Sequence, residues 1–307
     1  MPILCNFRRM RNGRVGLWAW GIAALLLTAI GCRSAPEAAL APSAQLLLAA
    51  PQLNPDLTKT ARPSNHRDWG ADQAVLARAD FQGDRVTVHN IRNCTYRTID
   101  DYDVAYYDKT FDLNELTSVD FIVVPFNDLP GVAHTMLSFG FRDRDYLAVS
   151  VEIRKEKGEK YGPLKGFFRQ YELIYVVADE RDVIHKNAIH ELCGVYVYRT
   201  RATPGQAREL FVDVMQRVNK LVDEPEFYHT LTNNCTTNIR RHINHLAPGR
   251  IPYDYRVLLP GYSDKLAYDL GLLETDASFE QTRARARVNY QAYLHRDSPD
   301  FSEKIRR

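Results

Sequence analysis

Two short runs constrain this chain more than any others. Residues 132–141 and 146–154 both alternate apolar and polar side chains, and the charged stretch Arg142-Asp143-Arg144-Asp145 separates them. A period of two is the period of a strand, and strands this close in sequence pair as an antiparallel hairpin. In the first run His134, Met136, Ser138 and Gly140 share a face, with Ala133, Thr135, Leu137, Phe139 and Phe141 on the other. In the second, Ser150, Glu152 and Arg154 lie together, opposite Leu147, Val149, Val151 and Ile153. The apolar faces coincide only when paired residue numbers sum to an even value, because a one-residue slip turns every side chain over. A three-residue loop (142–144) sets His134 opposite Glu152, whereas a five-residue loop sets it opposite Ser150. Either way the imidazole gains a polar partner.

The hairpin has company. Residues 83–98 alternate like strands, and 119–126, 171–178 and 194–199 read as further strands, with a Pro130-Gly131 turn after the first of these. Residues 72–79 are expected to be helical; an acidic, Tyr-rich segment follows over 100–112, of which Asp100–Asp103 is expected to be a solvated loop. Thr203-Pro204 caps and starts a helix whose buried stripe is Ala207, Leu210, Phe211, Val214, Val218 and Leu221. The composition gives one α+β domain over 67–275 and a charged tail over 276–307. Residues 155–166, rich in Lys, Glu and Gly, are expected to be mobile.

The first 32 residues form a targeting segment. Arg8, Arg9, Arg11 and Arg14 precede an uncharged apolar run over 15–30, which is short for a membrane span. The run ends in Ala29-Ile30-Gly31-Cys32, which resembles the lipobox of bacterial lipoproteins and makes Cys32 the expected lipidation site. A retained N-terminal anchor and ordinary secretion are the alternatives, and all three place the body outside the cytoplasm. Residues 33–66, rich in Ala and Pro, read as a tether, with room for a short helix at Leu46-Leu47-Leu48. Once the segment is processed, Cys94, Cys193 and Cys235 remain, and in an oxidising compartment an odd number leaves one thiol unpaired. Cys235 is expected to be that thiol; whether Cys94 pairs with Cys193 is open.

Cys235 follows the polar turn Asn233-Asn234 and precedes Ile239, Ile243 and Leu246 at helical spacing. Asn234 is a good N-cap, which puts Cys235 in the first helical turn, where free N–H groups and the helix dipole favour the thiolate. An isolated cysteine there is as readily a small buried residue, and His134 alone suits a structural hydrogen bond. Together they supply a nucleophile and a base, and Glu152 or Ser150 supplies the group that orients the base. Glu152 could instead pair with Arg154 or Arg142. Asn233 and Asn234 could donate to an oxyanion or only shape the turn.

Other readings carry less. Asp100-Asp101-Tyr102-Asp103 lacks the spacing of a calcium loop, and His185, His190, His242 and His245 lack zinc spacing, so no metal and no cofactor are expected. Glu180-Arg181-Asp182 reads as a structural charge cluster. A net charge of +2, without a basic run interleaved with aromatics, argues against nucleic acid as a partner.

The stretches VTVHNIRNCTYRT, AHTMLSFGF, YLAVSVEIRKEKGEKYGPLKGFFRQYELIYVVADERDVI and PEFYHTLTNNCTTNIRRH resemble the DUF4105 family, the periplasmic domain at the N-terminus of Lnb, a lipoprotein N-acylation enzyme. The resemblance spans about residues 69–245. It implies a permuted papain-like core of the NlpC/P60 type, an antiparallel sheet packed against a helix bearing the cysteine, with histidine before cysteine in the chain. Carried onto this sequence, the Cys–His pair is Cys235 and His134, with Glu152 preferred to Ser150 as third member. It further implies acyl transfer from a phospholipid or a diacylglyceryl group to an amine through a thioester, with Met136 and Phe139 as candidates to line an acyl groove, although core packing is the preferred role for Phe139. The chain stops soon after the domain, without the membrane helices of the larger Lnb proteins, which points either to a membrane-protein partner or to anchoring through Cys32. Peptidoglycan or amide hydrolysis, and non-catalytic lipid or partner binding, are the competing expectations.

Overall fold

The computed structural model describes residues 62–307 except 127, 128, 130, 143 and 160–162. The targeting segment, Cys32, the tether as far as residue 61 and Pro130 of the expected turn lie outside the described residues. The body is mixed α+β. Seven strands run in the order β1 (Arg78–Gln82), β2 (Arg85–Arg92), β9 (Glu172–Asp179), β8 (Asp145–Arg154), β7 (Ala133–Phe141), β6 (Leu116–Pro125) and β10 (Tyr196–Arg199), and β5 (Tyr106–Asp112) also pairs with β2. A separate small sheet joins β3 (Thr95–Tyr96) to β4 (Tyr102–Asp103). All pairings in the large sheet are antiparallel except β2–β9, which meet in the parallel sense at Arg92 and Ala178.

Both faces of the central strands are covered, so nearly every residue of β6 to β9 is buried. On the first face Phe121, Leu137, Phe139, Val149 and Val177 pack against α3 (Pro204–Asp223), with α4 (Cys235–Leu246) beside it contributing Cys235 and Ile239. Helix α3 starts with a capping box between Thr203 and Gln206, and the whole expected stripe is buried. Phe139 and Phe141 meet Phe211 edge-to-face at 5.1 and 5.4 Å, contacts that each add about 0.5–1.5 kcal/mol beyond the area they bury.

The second face carries Ile122, Met136, Ala148, Ile174 and Val176. It is covered by α2 (Glu180–His185) and by the last two helices, α8 (Asn289–Leu294) and α9 (Phe301–Lys304), through Ala292, Phe301 and Ile305 among others, whereas Ala286 of α7 (Phe279–Ala286) joins the first-face core. Residues 276–307 are therefore part of the packing, and Arg306 reaches the buried carboxylates of Asp120 and Glu180. The remaining α-helices among the described residues are α1 (Pro163–Phe167), α5 (Tyr255–Leu258) and α6 (Ser263–Asp269).

Four expectations need correction. Residues 72–79 form one 3₁₀ turn, Ala71–Gln73, followed by the start of β1, because Ala77 and Ala79 are buried in the core against which β2 and α3 also pack. Of the Asp100–Asp103 stretch, expected to be loop, Tyr102 and Asp103 form β4, and Asp101 and Asp103 bracket the Arg97 guanidinium; the rest of the Tyr-rich segment is largely β5, paired with β2. Cys235 is not the one unpaired thiol, because Cys94 is free as well, which settles that Cys94 and Cys193 do not pair. Burial and the neighbouring Asp182 carboxylate push the Cys94 thiol up to about 11, which keeps it protonated and inert at neutral pH. Met136 is fully enclosed in the second-face core, so it is not placed to line a groove, while Phe139 packs in the first-face core as preferred.

Candidate active site

The β7–β8 ladder begins at Phe141–Asp145, so the connecting loop is the three-residue one, and it ends at Met136–Ser150. His134 and Glu152 thus belong to the same register but lie beyond the last paired residues. The ring of His134 reaches diagonally, placing Nε2 2.6 Å from Ser150 Oγ. The Ser150 hydroxyl donates to Glu152 Oε1 at 2.8 Å, and that oxygen stands 3.8 Å from Nε2. Neither sequence alternative alone describes this: Ser150 touches the imidazole and Glu152 stands behind Ser150.

The chain of contacts fixes the protons. A serine hydroxyl has one hydrogen, and here it goes to Glu152, so Ser150 Oγ accepts from His134. Nε2 therefore carries a proton, and Nδ1 is the nitrogen left for another partner. Cys235 lies close enough to the imidazole that each shifts the other's pKa. Burial alone would lower the His134 pKa, but the bond to Cys235, its charge and the Glu152 carboxylate raise it. Glu152 is held below its ordinary range: burial opposes ionisation, but the charges of Arg92, His134 and Lys186 and the Ser150 hydroxyl prevail. It has not paired with Arg154, which stacks on Trp69 at 4.3 Å, or with Arg142, which pairs with Glu115.

Cys235 arrives from the other face of the sheet. It opens α4, whose capping box joins Asn234 and Thr237: Asn234 Oδ1 accepts from the Thr237 N–H at 2.8 Å, and Thr237 Oγ1 accepts from the Asn234 N–H at 2.9 Å. Burial would raise the thiol pKa. The hydrogen bond and positive charge of His134, with the hydroxyl and backbone N–H of Thr135, overcome that and bring it to about 7 from an ordinary 9.0. Half of such a thiol is thiolate at neutral pH. The imidazole keeps 19 % of its surface exposed and Glu152 keeps 15 %, so the group is enclosed but reachable.

The amides of Asn233 and Asn234 serve the turn. Asn234 donates to Thr230 O at 2.5 Å and Asn233 to Phe227 O at 2.9 Å. Several contributing residues escaped the sequence reading. Alternation places Thr135 on the face opposite His134 and files it with the core, yet that is the face from which α4 delivers the thiol. Gln73, whose amide donates to Glu152 Oε2 at 3.2 Å, and the buried cations Arg92 and Lys186 come from distant segments, and no spacing signals them.

A family model described as the Lnb N-terminal periplasmic domain matches residues 102–261, just over half of the chain. The chain belongs to that family. The match takes in His134, Ser150, Glu152 and Cys235, and leaves out Gln73, Arg92 and Arg306. Membership in the Lnb family makes this an envelope protein whose domain faces the periplasm. Among the described residues no helix is long and apolar enough to cross a membrane. No curated protein and no solved structure matches the chain.

Proposed function

We propose that this Lnb-family chain is a cell-envelope thiol acyltransferase that moves an acyl chain from a lipid ester to an amine. One observation carries the reading: a buried thiol at a helix start, brought to about 7 by a histidine whose Nε2 is held by a serine–carboxylate pair. The helix bearing Cys235 beside the strand bearing His134, with histidine first in the chain, is also the layout of a permuted papain-like core.

The steps balance as follows. The Cys235 proton passes to His134 Nδ1, and the thiolate attacks the ester carbonyl. With both asparagine amides committed to the turn, oxyanion stabilisation falls to the N–H groups of the first turn of α4 and to Thr135. The tetrahedral adduct collapses, the C–O bond breaks, and the alkoxide leaves with the proton from His134. An amine then attacks the thioester, His134 takes its proton, and the thiolate departs, giving an amide and one alcohol overall. Ser150 and Glu152 keep the imidazole in the tautomer that this cycle needs. A phospholipid or diacylglyceryl donor and the α-amino group of a lipidated cysteine as acceptor fit the periplasmic setting. The chain would meet them at a membrane, held through Cys32, its N-terminal segment or a membrane-protein partner.

Intact-mass measurement tests the first half of the cycle. After incubation with phospholipid vesicles at pH 7, the protein is expected to gain one acyl mass that hydroxylamine removes and that Cys235→Ser lacks. An acyl mass retained in Cys235→Ser, or none in the folded wild type, contradicts the proposal.

A further inference from the structure

A cavity of about 460 Å³ lies beside α4, within the size range of small-molecule sites. Its floor includes Phe121 of β6 and Leu137 of β7, and one wall is the face of α4 that carries Thr236, Ile239 and Ile243. The head of the cavity is next to the thiol. Thr236 Oγ1 is 3.8 Å from Cys235 Sγ and 3.2 Å from Thr135 Oγ1. From Thr236 the lining follows the helix to Ala247, a length of about 16 Å at helical rise. The space is long and mostly apolar, and its lining begins at Thr236, one residue after the candidate nucleophile.

The three arginines at its edge are already engaged, which leaves Glu209 as the charged side chain there. Arg201 donates to Leu273 O, Arg240 to Ile251 O and Arg250 to Leu270 O. A polar glycan or peptide entering here would find few free partners, whereas a hydrocarbon chain requires none. The outer wall has two characters. Ile251 and Val257 turn into the cavity, while Tyr253, Tyr255 and Leu258 between and beside them are 94, 63 and 46 % exposed. Tyrosines with an apolar body and a polar tip suit the headgroup level of a bilayer.

We propose that this cavity holds the fatty acyl chain of the substrate, with the ester carbonyl at Cys235 and the chain running along α4 towards Ala247. The proposal rests on Cys235 being the acyl-accepting thiol, but chain binding can be measured without chemistry. The probe is cis-parinaric acid, a fluorescent fatty acid, added to the full chain carrying Cys235→Ser. It is expected to bind saturably, with palmitate displacing it far better than decanoate. Adding Ile243→Trp, which fills the middle of the cavity, is expected to weaken binding at least tenfold. Because Ile243 also packs against the core, Ala247→Trp at the exposed far end provides a second variant that leaves the interior intact. It is expected to narrow the gap between palmitate and decanoate at least fivefold. No binding by Cys235→Ser, or unaltered binding in both tryptophan variants, overturns the proposal. Binding that both variants weaken, in a wild type that forms no thioester, leaves the cavity assignment standing and removes the acyltransferase.

Discussion

Replacing His134 with alanine is expected to move the titration midpoint of Cys235 from about 7 to 9 or above. Burial works against the thiolate, and the largest opposing contribution comes from the bond and charge of His134. With the imidazole gone, only Thr135 and the start of α4 still favour the anion, and helix-terminus effects of about 0.3–1 kcal/mol cannot replace a charged hydrogen-bond partner. At pH 7 the thiolate fraction would fall from about a half to about one in a hundred. A more basic thiolate is intrinsically more nucleophilic, which recovers a factor of about seven to ten over that span. The net loss in alkylation rate at pH 7 is therefore only about five- to sevenfold, so the midpoint is the sharper readout. It is obtained from iodoacetamide rates between pH 5 and 10. Ser150→Ala is expected to move the midpoint upward by less, because His134 keeps its bond to the thiol and loses only the partner that fixes its tautomer. Superimposable profiles for wild type and His134→Ala would mean that the histidine does not hold the thiol.

The second large effect lies far from Cys235 in sequence. Arg306→Ala is expected to cost about 3–5 kcal/mol in urea unfolding at neutral pH, the range for removing one member of a buried ion pair. The Arg306 guanidinium donates to both oxygens of Glu180, at 2.8 and 2.5 Å, and to Asp120 at 2.9 Å, while lying 3.7 Å above the Tyr146 ring. Glu180 and Asp120 are buried. Arg199 and Ser138 remain as partners for the two carboxylates, which places the expected loss near the lower end. Arg306→Lys keeps the charge without the planar fork and should fall between the two. Against total stabilities of about 5–15 kcal/mol, a loss of this size leaves a marginal protein. A change below about 1 kcal/mol would show that the C-terminal helices do not hold the second face.

Much of the fold is legible in the sequence where local chemistry decides it. The period-two runs give β7 and β8, Thr203-Pro204 gives the start of α3, and Asn234 gives the start of α4. The failures have physical causes. Parity fixes which residues share a register, but not where a ladder ends. The β7–β8 ladder stops at Met136–Ser150, which lets the His134 ring lean onto Ser150. In the C-terminal segment Ala292, Phe301 and Ile305 are too sparse among charged residues to announce a packed layer, yet they close the second face. Residues 72–79 have helical composition, and core packing of Ala77 and Ala79 overrides it. Gln73, Arg92 and Lys186 stand around Glu152 only after the chain has folded.

The most direct test of acyl transfer is made in cells that carry this chain as the only copy of its activity. Mass spectrometry of lipoprotein N-termini reads the product itself. Wild type is expected to give N-acylated termini, and Cys235→Ser, produced at the same level, is expected to leave the α-amino groups free. N-acylation unchanged by Cys235→Ser would contradict the account.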